Sequence, residues 1–206
     1  MEAFEDKMHR GGSAAIEEAG RFFMSQDPVH LALRKIAREL DRLGVPYAVA
    51  GGMALVAHGY DRTTVDVDLL VTPEGLEKAH HHLDGMGYLP PFENSRQIRD
   101  TEHGVRIEFL VAGGFPGDGK PKPVAFPDPA GCRIAIDGIQ YLQLDKLVEL
   151  KLASGMTNPG RLKDLADVQE LIRALSLKAD FSARLDPYVR DKYREMWNAV
   201  QPTDGA

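Results

Sequence analysis

Two aspartates, Asp66 and Asp68, stand two positions apart in Val65-Asp66-Val67-Asp68-Leu69-Leu70-Val71, and thirteen residues, Met53 to Val65, separate them from the pair Gly51-Gly52. Alternating acidic and apolar residues read as a β-strand, whose side chains change face at each step. Both carboxylates therefore point one way, while Val65, Val67 and Leu69 point into a core. Such neighbours lie about 7 Å apart at the backbone and can converge at their tips, where like charges about 4 Å apart repel by roughly 4 kcal/mol at an effective dielectric near 20. A proton or a cation must relieve that repulsion. Hard oxygen ligands that leave coordination positions for water or phosphate suit magnesium, and manganese is the alternative. An edge strand can carry alternating charge on a solvated face, and Gly-Gly can be an ordinary turn. Their order and spacing together point to a phosphate and metal site.

The neighbouring elements set the geometry. Residues 45–50 read as a strand ending in Gly51-Gly52, and residues 53–58 as a short helix closed by Gly59. Glycines at that junction let backbone N–H groups at a helix start approach a phosphate. Upstream, Asp27-Pro28 is a helix start with aspartate as N-cap and proline at the first helical position, and Leu33, Ile36, Ala37 and Leu40 repeat at helical spacing until Gly44. Pro73-Glu74 opens another helix through Leu83, and strands follow near residues 97–101 and 105–111. The order predicts an α/β (α+β) fold, a mixed β-sheet flanked by helices with a C-terminal helical part.

Gly-Gly, this spacer and Asp-x-Asp between apolar residues resemble the signature of the nucleotidyltransferase superfamily, and Arg62-x-Thr64-x-Asp66-x-Asp68 resembles its AbiEii-like and minimal bacterial members. The resemblance spans roughly residues 28–175. It implies transfer of a nucleoside monophosphate from a nucleoside triphosphate to an acceptor hydroxyl, with release of pyrophosphate and two magnesium ions. It implies metal and catalytic roles for Asp66 and Asp68, with Glu108 in the later strand as third carboxylate, where many members have Asp. Arg106, two positions away on the same face, is the other candidate partner of Glu108. The resemblance further implies nucleotide binding by Gly51, Gly52, Arg62, Thr64, Lys151 and a late aspartate, Asp167, with Asp164 competing for that role. Small antibiotic hydroxyls, RNA 3′ ends and protein side chains are all acceptors in the superfamily. A toxin–antitoxin role with a cognate antitoxin or partner chain is also implied. A non-catalytic nucleotide- or protein-binding module that keeps the fold is the competing reading.

Residues 113–129 form a Gly- and Pro-rich loop after the Glu108 strand. Within it, Gly114 to Lys120 matches Gly-x4-Gly-Lys, yet Pro121 stands where a P-loop needs Ser or Thr, and Pro123 blocks the required helix. The loop is instead expected to shape the acceptor pocket. Residues 141–175 read as helical, with apolar sets from Leu144 to Leu152 and from Leu162 to Ile172. Consecutive His80, His81 and His82 point about 100° apart on a helix and cannot converge on one ion, so they read as a solvated face. Tyr188, Tyr193, Met196 and Trp197 read as the docking face of a last helix, and residues 201–206 as disordered.

Composition fits without singling the chemistry out. At 206 residues and 43% hydrophobic content the chain can bury a full core, divided here as an extension over 1–27, a core over 28–140 and a helical region over 141–206. A net charge of −6 argues against a broad basic surface for nucleic acid. The single Cys132 excludes an intramolecular disulfide and a multi-cysteine zinc site, and no apolar run nears the roughly 18 residues of a membrane span, so a cytoplasmic protein is expected.

Overall fold

The computed structural model describes residues 20, 22 and 27–201, so the remainder of the expected extension and the last five residues lie outside it. Helix α1 (Pro28–Leu43) begins where Asp27 accepts from the Val29 amide at 2.8 Å, and it ends at Gly44 in the left-handed conformation. Its apolar stripe, from Val29 to Leu43, is buried.

The chain then passes through β1 (Tyr47–Ala50), α2 (Gly51–Ala57), β2 (Asp66–Val71) and α3 (Pro73–Leu83). Next come β3 (Tyr88–Leu89), β4 (Gln97–Asp100) and β5 (Arg106–Val111), and a hairpin of β6 (Arg133–Ile136) and β7 (Ile139–Leu142). Three helices follow: α4 (Leu144–Thr157), α5 (Leu162–Ala174) and α6 (Pro187–Ala199). One seven-stranded mixed sheet runs in the order β3-β4-β5-β2-β1-β7-β6. Strand β1 is antiparallel to β2 and parallel to β7, and β2 is parallel to β5.

Burial along these strands shows where the sheet stays open. All four residues of β1 are buried, as expected of a strand covered on both faces. In β2 the positions of Asp66 and Asp68 are only partly buried, whereas Leu69, Leu70 and Val71 are fully covered. The gap in the cover falls at the carboxylates.

Two differences from the sequence expectation stand out. Residues 141 and 142, expected to open a helix, instead end strand β7, the second arm of a hairpin turned by Asp137 (φ 49°) and Gly138 (φ 79°). An Asp-Gly pair between alternating apolar residues is the chemistry of a two-residue turn, so this hairpin had a local signal. His80 is not solvated: its Nε2 lies 2.7 Å from the Ser95 carbonyl and its Nδ1 2.9 Å from Asp84.

The C-terminal helices cover the sheet beside the gap. Every residue of α4 from Leu147 to Gly155 is buried, polar Glu149, Lys151 and Ser154 included. Gly155 lets α5 approach, since a Cβ there would meet Leu165 at 2.5 Å. Helix α6 docks through buried Tyr193 and Met196, and Tyr193 Oη and Trp197 Nε1 donate to the carbonyls of Lys178 and Leu177. Among the described residues no helix is long and apolar enough to cross a membrane.

Candidate active site

The sheet side of the site is written in the register. Asp66 lies opposite Arg106 and Asp68 opposite Glu108, so four charged side chains share one face of the β2–β5 pair. On the other side of β2, Ala50 lies opposite Asp68, which carries the chain out of β1 and into Gly51 beside that carboxylate. Gly51 has φ +55°, and a Cβ there would sit 1.6 Å from Asp68 Oδ2. At Gly52 a Cβ would meet Thr64 Oγ1 at 2.5 Å, and that hydroxyl donates to Asp66 Oδ1 at 3.0 Å. The glycine pair thus makes room for one carboxylate and for the hydroxyl that orients the other. No side chain caps α2. Gly51→Ala should cost about 2–3 kcal/mol in urea unfolding, from its left-handed backbone and the clash with Asp68 together. Wild-type stability in that variant would show that the crowding is relieved without cost.

The helix side is an ion-pair chain. Buried Lys151 on α4 donates to Asp164 Oδ1 at 3.0 Å and to Asp167 Oδ2 at 2.7 Å. Ser154 Oγ and Arg161 Nε donate to Asp164 Oδ2 at 2.6 and 2.8 Å. From the segment between α2 and β2, Arg62 Nη1 donates to Asp167 Oδ1 at 2.8 Å. Burial alone would raise the Asp164 carboxyl, but Lys151, Ser154 and Arg161 outweigh it and hold that group below the usual carboxylate range. Both late aspartates therefore grip the same lysine.

Sheet and helices face each other across a cavity of about 300 Å³. Gly51, Asp68 and Glu108 line one wall and Lys151, Arg161 and Asp164 another, with Phe115, Pro116 and Gly117 of the long loop alongside. Asp66, Gly52, Arg62, Thr64 and Asp167 do not line it, and through the bonds above Thr64 supports Asp66 and Arg62 supports Asp167. The loop is pinned where Asn158 Nδ2 donates to the Gly117 carbonyl at 3.1 Å. Ser154 and Arg96 are lining residues that the sequence reading did not single out. Ser154 lies three positions after Lys151, the spacing that places two residues on one helical face, whereas Arg96 sits in a loop with no periodic signal.

Electrostatically the wall is overloaded with negative charge. Burial, reinforced by Asp66 and Glu108 and only partly offset by Lys151 and Arg161, pushes Asp68 up to about 7. The donor set is of the hard-oxygen type that a divalent cation takes: Asp66, Asp68 and Glu108 share one face of the sheet, and Asp68 holds its proton far above the usual carboxylate range. Arg106 Nη2 meets part of that demand by donating to Asp66 Oδ2 at 2.8 Å, although the sequence offered Glu108 as its partner. Among the described residues, the one group of three or more acidic or histidine ligands lying within 4.8 Å of one another is Asp100, Glu102 and His103; Asp66, Asp68 and Glu108 are not gathered that closely. Lys35 already neutralises that second cluster, at 2.6 Å from Asp100 and 2.9 Å from Glu102.

A pH dependence follows. Between about pH 4 and 7 the folded chain keeps a proton on Asp68 that the unfolded chain has released, so stability falls as pH rises through that window. In EDTA, Asp68→Asn should melt above wild type at pH 8, with the gap closing toward pH 4. A gap of constant size across that range in calorimetry would refute the linkage.

Neither a protein-family model nor a curated protein matches this chain. Solved structures do. The crystal structure of ANT(2″)-Ia in complex with adenylyl-2″-tobramycin superposes with a TM-score of 0.51 at 12% identity, over 82% of this chain and 96% of that one. A solution structure of the antibiotic-resistance factor ANT(2″)-Ia gives 0.53 at 16% identity, over 81% and 91%. JHP933 from Helicobacter pylori reaches only 0.43 at 15% identity, over 82% and 79%. At such identities the likeness is one of fold, and the fold shared is that of ANT(2″)-Ia.

Proposed function

We propose that this protein is a magnesium-dependent nucleotidyltransferase that moves a nucleoside monophosphate from a nucleoside triphosphate to an acceptor hydroxyl. The observation that carries the reading is the meeting of Asp68 and Glu108 with Lys151 and Arg161 across one cavity. Opposed carboxylates and cations are what a metal-bound triphosphate needs. Asp66, Asp68 and Glu108 would hold the metal, two magnesium ions or manganese in their place. Bound there, the metal would withdraw charge from the triphosphate and lower the pKa of the acceptor hydroxyl. Lys151 spends two of its three N–H donors on Asp164 and Asp167, which leaves one for a phosphate oxygen. Gly51 and Gly52 offer uncapped amides at the start of α2. The acceptor oxygen attacks the α-phosphorus, the bond from that phosphorus to the β-phosphate oxygen breaks, pyrophosphate leaves, and the hydroxyl proton passes to water.

The AbiEii-like assignment and a toxin role rest on Arg62-x-Thr64-x-Asp66-x-Asp68 and, as a looser match, on Lys151 with Asp167 or Asp164. The ligand in the ANT(2″)-Ia crystal, an adenylyl group on tobramycin, supports a small hydroxyl acceptor as one class to test beside RNA and protein. Incubation with magnesium, each α-labelled nucleoside triphosphate and cell extract, beside Asp66→Asn, tests the reading. Label entering RNA, protein or small molecules only with wild type supports transfer and identifies the acceptor class. No label, with triphosphate still bound, points instead to a non-catalytic nucleotide-binding module.

A further inference from the structure

Gly51, which follows β1, marks the end of the cavity proposed to grip the triphosphate, whereas Glu108 stands on β5 at the other side of β2, with β4 beyond it. In-line displacement brings the acceptor in opposite the leaving pyrophosphate. The acceptor hydroxyl therefore approaches from the Glu108 side, where Leu110, Phe115, Phe126, Leu147 and Leu150 form an apolar wall.

Arg96 stands on that side. Its carbonyl accepts from the Phe109 amide at 2.7 Å, and the next residue, Gln97, lies opposite Glu108. Buried Ser95 before it is pinned too, its carbonyl 2.7 Å from His80 Nε2 and its Oγ accepting from the Gln97 amide at 3.0 Å. The backbone is thus fixed, while the exposed guanidinium, which lines the cavity, makes no hydrogen bond or ion pair among the described residues. The other charges are committed. Lys151 and Arg161 both hold Asp164, Arg161 through Nε at 2.8 Å and Nη2 at 3.3 Å, and on the reading above Asp68 and Glu108 hold metal. Among the described residues, no carboxylate lining the cavity is left over for a cationic acceptor, and metal on Glu108 adds to the positive charge of Arg96.

We infer, resting on the transferase reading above, that the acceptor carries a phosphate group near its hydroxyl and that Arg96 is the specificity-determining residue that holds it. A guanidinium fork matches paired phosphate oxygens, and a partly aromatic wall suits a flat apolar part of the same molecule. A small phosphorylated compound and the terminal nucleotide of an RNA both offer this chemistry. A polyamine acceptor meets like charge instead.

Transfer from α-labelled nucleoside triphosphate by the full chain, into cell extract treated beforehand, tests this. Acceptor activity should be removed by an anion exchanger and pass through a cation exchanger. Its loss after phosphatase marks a small phosphorylated acceptor, and its loss after ribonuclease an RNA end. R96Q should raise the amount of extract needed for half-maximal transfer about tenfold, the scale of one charge-assisted hydrogen bond, with the KM for triphosphate unchanged. R96K should recover part of that loss, and R96E should exceed it. Acceptor activity that survives both enzymes, is removed by the cation exchanger or is lost after protease overturns the inference. An R96Q variant equal to wild type, or one that weakens triphosphate and acceptor alike, overturns it as well. No label from wild type with untreated extract overturns the transfer reading, and the role of Arg96 with it.

Discussion

Asp68→Asn is expected to lower transfer by about 10³-fold or more, on the order of 4 kcal/mol of transition-state stabilisation, while leaving the fold intact. Asparagine has the shape of the carboxyl group but cannot supply its charge to a cation. The carboxylate it replaces lies opposite Glu108 and against Gly51, in the cavity wall where negative charge is most crowded. Asp66→Asn should be comparably damaging to transfer. Circular dichroism and single-turnover label transfer, measured on the same samples, would check both halves. An Asp68→Asn variant within tenfold of wild type would refute the mechanism, whatever its stability.

The largest stability effect is expected at Lys151. Lys151→Ala leaves Asp164 and Asp167 facing each other at a buried site with one common partner removed, and breaking such a pair costs about 3–5 kcal/mol. For a chain of this size that is a fall in Tm of roughly 10 °C. The loss should shrink toward pH 4, because without the lysine burial favours the protonated Asp164 carboxyl. Lys151→Met should behave similarly, since what is missing is the charge. Calorimetry at pH 4.5 and 8 separates this electrostatic account from a packing defect, which would cost the same at both values.

Local chemistry was legible wherever one segment decides the outcome. Asp27, Pro28 and Gly44 mark both ends of α1, and Pro73 opens α3 as its fixed φ favours, the helix running through Leu83 as its pattern predicts. Alternation alone placed Asp66 and Asp68 on one face. What could not be read is what depends on which strands become neighbours. Arg106 meets Asp66 because β2 and β5 run parallel in one particular register, and nothing local to either strand encodes that choice. Likewise Arg62 and Asp167 are 105 positions apart, and only folding brings α5 to the end of the α2–β2 segment. Asp164 and Asp167 seemed to compete for one role because a sequence ranks them by spacing, whereas the folded lysine uses both. The β6–β7 hairpin is a different case, since Asp137-Gly138 announced it and helical periodicity further on was read too far back.

The long loop that flanks the cavity is closed at its base by its own backbone, with the Gly113 amide donating to the Phe126 carbonyl and the Phe126 amide to Gly114, each at 2.8 Å. Its ends are therefore fixed to each other independently of what lies between them. Beyond Phe115, Pro116 and Gly117, the residues from Asp118 to Pro121 face outward. A segment with a fixed base and an exposed tip confines change to that tip: residues 118–121 can be lengthened or recoded while the carboxylates and their sheet stay where they are. Under the proposed function, acceptor range would be tunable at this tip without touching Asp68, Glu108 or Lys151.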